Sequence, residues 1–213
     1  MAFILIMCAV LLAILAVFLL RVVYLLYTIL MTDCCIHKDP SLRTIFCMGS
    51  GGHTTEMLRF AESLNMNKYS PRLYIVADND VSSEVKIHET EKGQKNYVLQ
   101  RIPRSRNVKQ SYSSSVFSTL YATLYTIPTL YNFKPDVIFC NGPGTCVPVC
   151  VVAFLLRCMF LLDCRTVFIE SVCRVRTLSL TGKILQFFVD IFVVQWPQLR
   201  DVCFRAKYFG RLT

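Results

Sequence analysis

Gly49-Ser50-Gly51-Gly52-His53-Thr54 is the first stretch of the chain whose residue types suggest chemistry. Glycines let a backbone approach a ligand closely, and a helix that starts beyond them presents N–H groups to an anion. His53 could donate to a phosphate, act as a general base or help to cap the helix. The stretch is no dinucleotide fingerprint, because Thr54 stands where GxGxxG needs glycine, and no P-loop, because no Gly-Lys-Ser/Thr follows. A free-standing NAD-dependent oxidoreductase is excluded on that ground. Glu56 falls in the first helical turn, where a carboxylate suits the helix dipole. Pointing inward it would repel a phosphate, so it reads as a helix-start residue.

Asn141-Gly142-Pro143-Gly144-Thr145 is a second glycine-rich turn of the same kind. Two such turns at the ends of parallel strands can face one crevice, and a ligand with two phosphates could lie between them. Glu170-Ser171-Val172-Cys173-Arg174-Val175-Arg176 is the third group. Glu170 could act as a base or hold a sugar hydroxyl, and Arg174 and Arg176 could meet phosphate oxygens, or all three could form a surface charge network. A basic, serine-rich loop carries Arg101, Arg104, Arg106 and Lys109, suited to anionic lipid or to solvent alone.

These groups need elements to hold them, and the apolar pattern supplies an alternation. Strands are predicted over residues 42–48, 73–77, 97–102, 136–140, 165–169 and 191–194. Helices are predicted over 54–64, 81–92, 116–131, 147–162 and 178–188. Strands that are continuously apolar, alternating with helices, predict an α/β fold with one Rossmann-like parallel sheet covered on both faces. The stretch 147–162 is apolar enough to suggest a membrane span, yet it is short and carries Arg157. It reads as a buried helix or one lying on a membrane surface.

Residues 1–20 hold no charged side chain and are long enough to cross a bilayer as a helix. Arg21 interrupts the run, and 22–31 is again mostly apolar. A retained anchor is expected rather than a cleaved signal, since neither a basic n-region nor a small-residue cleavage site is evident. The division expected is an anchor and juxtamembrane segment over 1–31 and one domain over 40–213. Arg21, His37, Lys38 and Arg43 follow the span and none precede it, which places the domain on the cytoplasmic side. Cys34-Cys35 are juxtamembrane residues and possible palmitoylation sites.

A net charge of +9 suggests an anionic partner. No basic run interleaves with aromatics, which argues against nucleic acid and for lipid headgroups or a phosphorylated lipid. The chain has 11 cysteines and 3 histidines but no CxxC, so spacing supports no metal site. Cys47, Cys140, Cys150 and Cys158 lie in apolar runs, as free thiols in a reducing compartment do.

The stretch from Gly49 through His53, Thr54, Thr55 and Glu56 to Leu58 strongly resembles the first loop of a known family. This is the membrane-anchoring subunit of the two-subunit UDP-N-acetylglucosamine transferase of dolichol-linked oligosaccharide synthesis. Arg101-Ile102-Pro103-Arg104-Ser105-Arg106, Asn141 to Pro148, Glu170 to Val175, Ser179 to Lys183 and Gln195-Trp196-Pro197 resemble it too. The resemblance implies the acceptor-side half of a split MurG-like, GT-B glycosyltransferase, inactive without a small soluble subunit that binds UDP-N-acetylglucosamine. It implies addition of the second N-acetylglucosamine, in β-1,4 linkage, to N-acetylglucosaminyl-diphosphodolichol on the cytosolic face of the endoplasmic reticulum. No cofactor is expected on this chain. His53 and Glu170 become the candidate catalytic residues. Gly49, Ser50, Gly51, Gly52, Asn141, Gly142, Gly144 and Thr145 become candidate diphosphate contacts, and Arg104, Arg106 and Arg174 lipid or phosphate contacts. The tail Tyr208-Phe209-Gly210-Arg211-Leu212 is expected to dock the partner. MurG-like proteins follow the Glu with Gln-Asn, whereas here Ser171-Val172 follow. A pure membrane scaffold with no part in the site is the alternative.

Overall fold

A computed structural model describes residues 1–32, 41–106, 110–142 and 144–212. Cys34, Cys35, His37, Lys38, Lys109 and Pro143, singled out above, lie outside the described residues.

Seven parallel strands form one sheet: β1 (Thr44–Cys47), β2 (Arg72–Ala77), β3 (Tyr97–Ile102), β4 (Val137–Asn141), β5 (Arg165–Ile169), β6 (Ile191–Val194) and β7 (Ala206–Tyr208). Their order is β3-β2-β1-β4-β5-β6-β7. From β1 the chain winds one way through β2 and β3, and from β4 it winds the other way, so the boundary of β1 and β4 is the topological switch point. Thr44↔Val137 through Cys47↔Cys140 set that register.

Five helices cover the sheet: α2 (Gly52–Ser63), α3 (Val81–Thr90), α4 (Tyr112–Phe133), α5 (Cys146–Cys158) and α6 (Leu180–Leu185). Met57, Phe60 and Ile87 of α2 and α3 fill one apolar layer around Phe46, Tyr74 and Phe139. Leu130, Val149, Ala153 and Leu185 of α4, α5 and α6 fill the other around Ile45, Ile138 and Phe168. The sheet is buried on both faces, which is why its central strands carry no polar alternation. The short turn Pro197–Asp201 and strand β7 extend the sheet beyond the six strands that the apolar pattern marks.

The N-terminal segment is one unbroken helix, α1 (Ala2–Met31), about 45 Å long. Arg21 lies within it rather than ending it, because a guanidinium can bend toward aromatic neighbours. Its Cζ sits 4.5 Å from the Phe160 ring centroid and 5.3 Å from that of Tyr24. Up to Leu20 most apolar side chains are exposed, whereas Leu25 and Ile29 are buried against Phe154 and Cys158 of α5. The helix is long and apolar enough to cross a membrane in its first part, and it docks on the domain in its second.

α5 is a core helix. Its Arg157 is buried and paired bidentately with Asp190 at 2.8 and 2.9 Å. Asp190 also accepts from the Thr166 backbone N–H and hydroxyl. α4 differs: Val116, Phe117, Leu120, Tyr121, Leu124 and Tyr125 are all exposed.

Candidate active site

The two glycine-rich loops lie side by side at the switch point, one after β1 and one after β4. Gly51 (φ +68°) turns the first loop into α2 in a conformation that side chains disfavour. The Thr54 hydroxyl reaches back to the Gly49 carbonyl and closes the loop. Among the described residues no side chain caps the start of α2 or of α5. α3, α4 and α6 are capped by Asp80, Ser111 and Ser179. The start of α2 lies next to the exposed residues Ser50, Gly51 and Gly52, whereas at the start of α5 Val147 N–H donates to the Gly144 carbonyl and Pro148 has no N–H to offer.

His53, half-buried in the first turn of α2, faces the second loop. Its Nδ1 is 3.1 Å from Asn141 Oδ1. A Cβ on Gly142 would stand 2.3 Å from the imidazole, so the ring lies directly against that glycine's backbone. Gly142 has φ +75°, a second reason for glycine there.

Glu56, expected in a first helical turn and facing outward, is the fifth residue of α2 and faces inward. It is buried, and its carboxylate accepts from Ser171 Oγ (2.8 Å), Asn141 Nδ2 (3.1 Å) and the Val172 N–H (3.4 Å). Those donors replace the water that an inward carboxylate would otherwise lack. Glu56 thereby joins the loops after β1, β4 and β5.

Glu170 is fully buried at the end of β5. Its carboxylate accepts from the N–H and hydroxyl of Ser179 and from the Ser171 N–H. Burial pushes this carboxyl above its ordinary value, opposed first by Ser179, then by Ser171 and Arg174. A Cβ on Gly182 would come within 2.3 Å of Glu170 Oε2, so glycine in the first turn of α6 leaves room for it. This carboxylate holds the turn that begins α6.

The remaining candidates divide. Gly49 and Thr145 are buried and Ser50, Gly51 and Gly52 exposed at the loop surface. Arg101 is engaged by Glu84 at 2.6 and 2.7 Å. Arg106 donates to the Gln110 carbonyl, and Arg174 is exposed. Ser118 and Thr119 of α4 donate to the Ser105 carbonyl, which fixes the Arg104–Arg106 loop over the start of α4. The tail is tied down: Leu212 N–H donates to Gln195 Oε1, and Arg211 lies 4.3 Å above the Trp196 ring. Gln195 in turn donates to the Glu170 carbonyl.

Spacing gives no metal-ligand set, yet the register of β1 and β4 and the start of α5 bring Cys47, Cys140 and Cys146 together. Their sulfurs lie within 4.8 Å of one another. Cys150 Sγ is 3.6 Å from Cys140 Sγ. All four are fully buried in the larger apolar cluster, where free thiols behave as small hydrophobes.

Solved structures with this fold include Acinetobacter baumannii MurG, at a TM-score of 0.55 and 16% identity, covering 73% of this chain and 42% of that one. LpCGTa in complex with UDP aligns at a TM-score of 0.51 and 10% identity, covering 82% of this chain and 53% of that one. This chain therefore spans about half the length of either and has the fold of one of their halves. The mouse protein named UDP-N-acetylglucosamine transferase subunit ALG14 is 47% identical over 188 residues, covering 83% of this chain and 86% of that protein. The human protein of that name is 46% identical over 181 residues (81% and 83%), and that of Yarrowia lipolytica 47% over 180 residues (83% and 82%). Residues 44–212 match the family described as oligosaccharide biosynthesis protein Alg14 like. The chain belongs to that family.

Proposed function

We propose that the chain is the membrane-anchoring, acceptor-binding subunit of a UDP-N-acetylglucosamine transferase, acting at the endoplasmic reticulum membrane with its domain in the cytosol. The acceptor is N-acetylglucosaminyl-diphosphodolichol and the bond formed is β-1,4. A soluble subunit carries UDP-N-acetylglucosamine, and the chain itself binds no cofactor. The observation that carries this reading is the meeting of the two glycine-rich loops at His53, beside the uncapped start of α2, at the switch point. The start of α2 suits a phosphate of a lipid diphosphate, with Gly49 to Gly52 on one side and Asn141, Gly142, Gly144 and Thr145 on the other.

In this reading the sugar hydroxyl of the acceptor attacks the anomeric carbon of the donor. The new C–O bond forms as the bond to UDP breaks, and the hydroxyl proton passes to His53. Glu170, buried and saturated with donors, supports the site from beneath rather than receiving that proton.

Two features support delivery of a lipid acceptor. α1 holds the domain at a membrane, and the exposed apolar face of α4 leads up to the Arg104–Arg106 loop. Partner docking by the tail is supported by Phe209, 65% exposed at the sheet edge beside exposed Tyr208.

The test is a transfer assay on a short-chain lipid acceptor, with this chain and the soluble subunit supplied separately and together. Product is expected only from the pair. His53→Ala should cut transfer by at least about 100-fold while the two subunits still co-purify. Unchanged turnover removes His53 from the mechanism. Persistence of transfer when both glycine loops are altered establishes the scaffold alternative.

A further inference from the structure

We infer that Glu56 and Asn141 are positioning residues that hold neutral His53 in the Nδ1–H tautomer, leaving Nε2 as the atom that meets the substrate proton. The inference rests on the proposed role of His53 as base.

The orientation of the Asn141 amide follows from its neighbours. One end of the amide faces Glu56 Oε2 at 3.1 Å and the Ile169 carbonyl at 3.2 Å. Both are acceptors, so that end must be the amino group, and Oδ1 is left facing the imidazole. Oδ1 only accepts, so the nitrogen 3.1 Å away, His53 Nδ1, carries a proton. In a neutral ring the lone pair then belongs to Nε2.

Each member of the chain is itself held. Asn141 ends β4 in register with Ile169 of β5, so its backbone cannot drift. Glu56 receives donors from Ser171 and Val172 besides Asn141. The ring cannot swing toward the second loop, because Gly142 lies against it. A base must be aligned with the proton it takes, and small misplacement far from the chemistry lowers rate steeply. Asn141, an expected diphosphate contact, thus has both ends of its amide engaged inside the protein.

The tautomer can be read without turnover. The full chain, with its soluble partner and 15N-labelled histidine, has 3 histidines, and His53→Gln assigns the resonance. Long-range proton–nitrogen correlations should show His53 protonated at Nδ1 and bare at Nε2. Protonation at Nε2 alone overturns the inference, whatever the activity. Asn141→Ala and Glu56→Leu should mix the two tautomers and lower kcat by about 10- to 100-fold, with KM for the lipid acceptor moving far less. Glu56→Gln keeps an oxygen for Asn141 and should recover both the tautomer and most of kcat. A kcat unchanged in Asn141→Ala also overturns the inference. Unchanged transfer in His53→Ala instead defeats the proposed base, and the wild-type spectrum still judges the geometry.

Discussion

At the scale of single residues, two glycines guard the two ionisable side chains that the sequence brings forward. Gly142→Ala places a methyl carbon inside van der Waals contact with the His53 ring and strains a backbone at φ +75°. The expected outcome is a fall in kcat of about 100-fold with the subunit complex intact, checked by steady-state kinetics and co-purification. Glu170 makes a prediction in pH. Its carboxyl is raised by burial, so the folded state binds the proton more tightly than the unfolded one. Stability from this group is therefore lost as pH rises from the ordinary value, about 4.3, through the folded one. Glu170→Gln does not titrate. The stability difference, wild type minus variant, should fall across that window in chemical unfolding, and a flat difference would contradict it. Glu170, Gly142 and His53 were all visible in the sequence as types at the ends of strands. What they touch was not: Glu56 meets Ser171 across 115 positions of chain, and no local spacing encodes that.

At the scale of elements, strand positions are legible because buried parallel strands are continuous apolar runs. β3, β5 and β6 begin and end where the apolar pattern places them. Helix ends were less legible. α2 starts at Gly52 rather than Thr54, since glycine tolerates the turn and the first helical turn alike. α6 spans only Leu180–Leu185, because Ser179 caps it late and the chain turns at Gln186. Arg157 shows the limit of composition: its charge marks α5 as unlike a membrane span, yet it is buried with side-chain exposure of 4% against 5% for Asp190. That pair and Thr166 fasten α5 to the start of β6. Asp190→Ala strands a buried guanidinium and should cost about 3–5 kcal/mol, seen as a lowered midpoint in denaturant. Arg157→Met with Asp190→Leu removes both charges and should cost much less. Equal losses in the two variants would mean that packing, rather than charge, dominates.

At the scale of the molecule, the anchor proposed for α1 would join bilayer and domain with one unbroken helix. Its first 19 helical residues, Ala2 to Leu20, would cover about 28 Å, close to a hydrocarbon core. Arg21 over Phe160 then marks the level where the domain begins. Below that level Leu25 and Ile29 lock the helix to α5, so tilt of the anchor and pose of the domain are one variable. In the proposed anchored state that lock would set which face of the domain meets the bilayer, and so where the exposed apolar residues of α4 lie. Tilt costs only fractions of a kcal/mol per Å of mismatch, whereas cutting buried aliphatics to Ala costs about 2–5 kcal/mol each. Leu25→Ala with Ile29→Ala should therefore free the pose without releasing the anchor. The double variant is expected to stay in the membrane fraction after alkaline extraction and to bind its partner. Transfer to a short-chain acceptor in detergent should be near wild type, while transfer to a long-chain acceptor in vesicles falls by about 10-fold, the signature of a lost orientation. An unchanged ratio of the two rates would show that the anchor tethers the domain without aiming it.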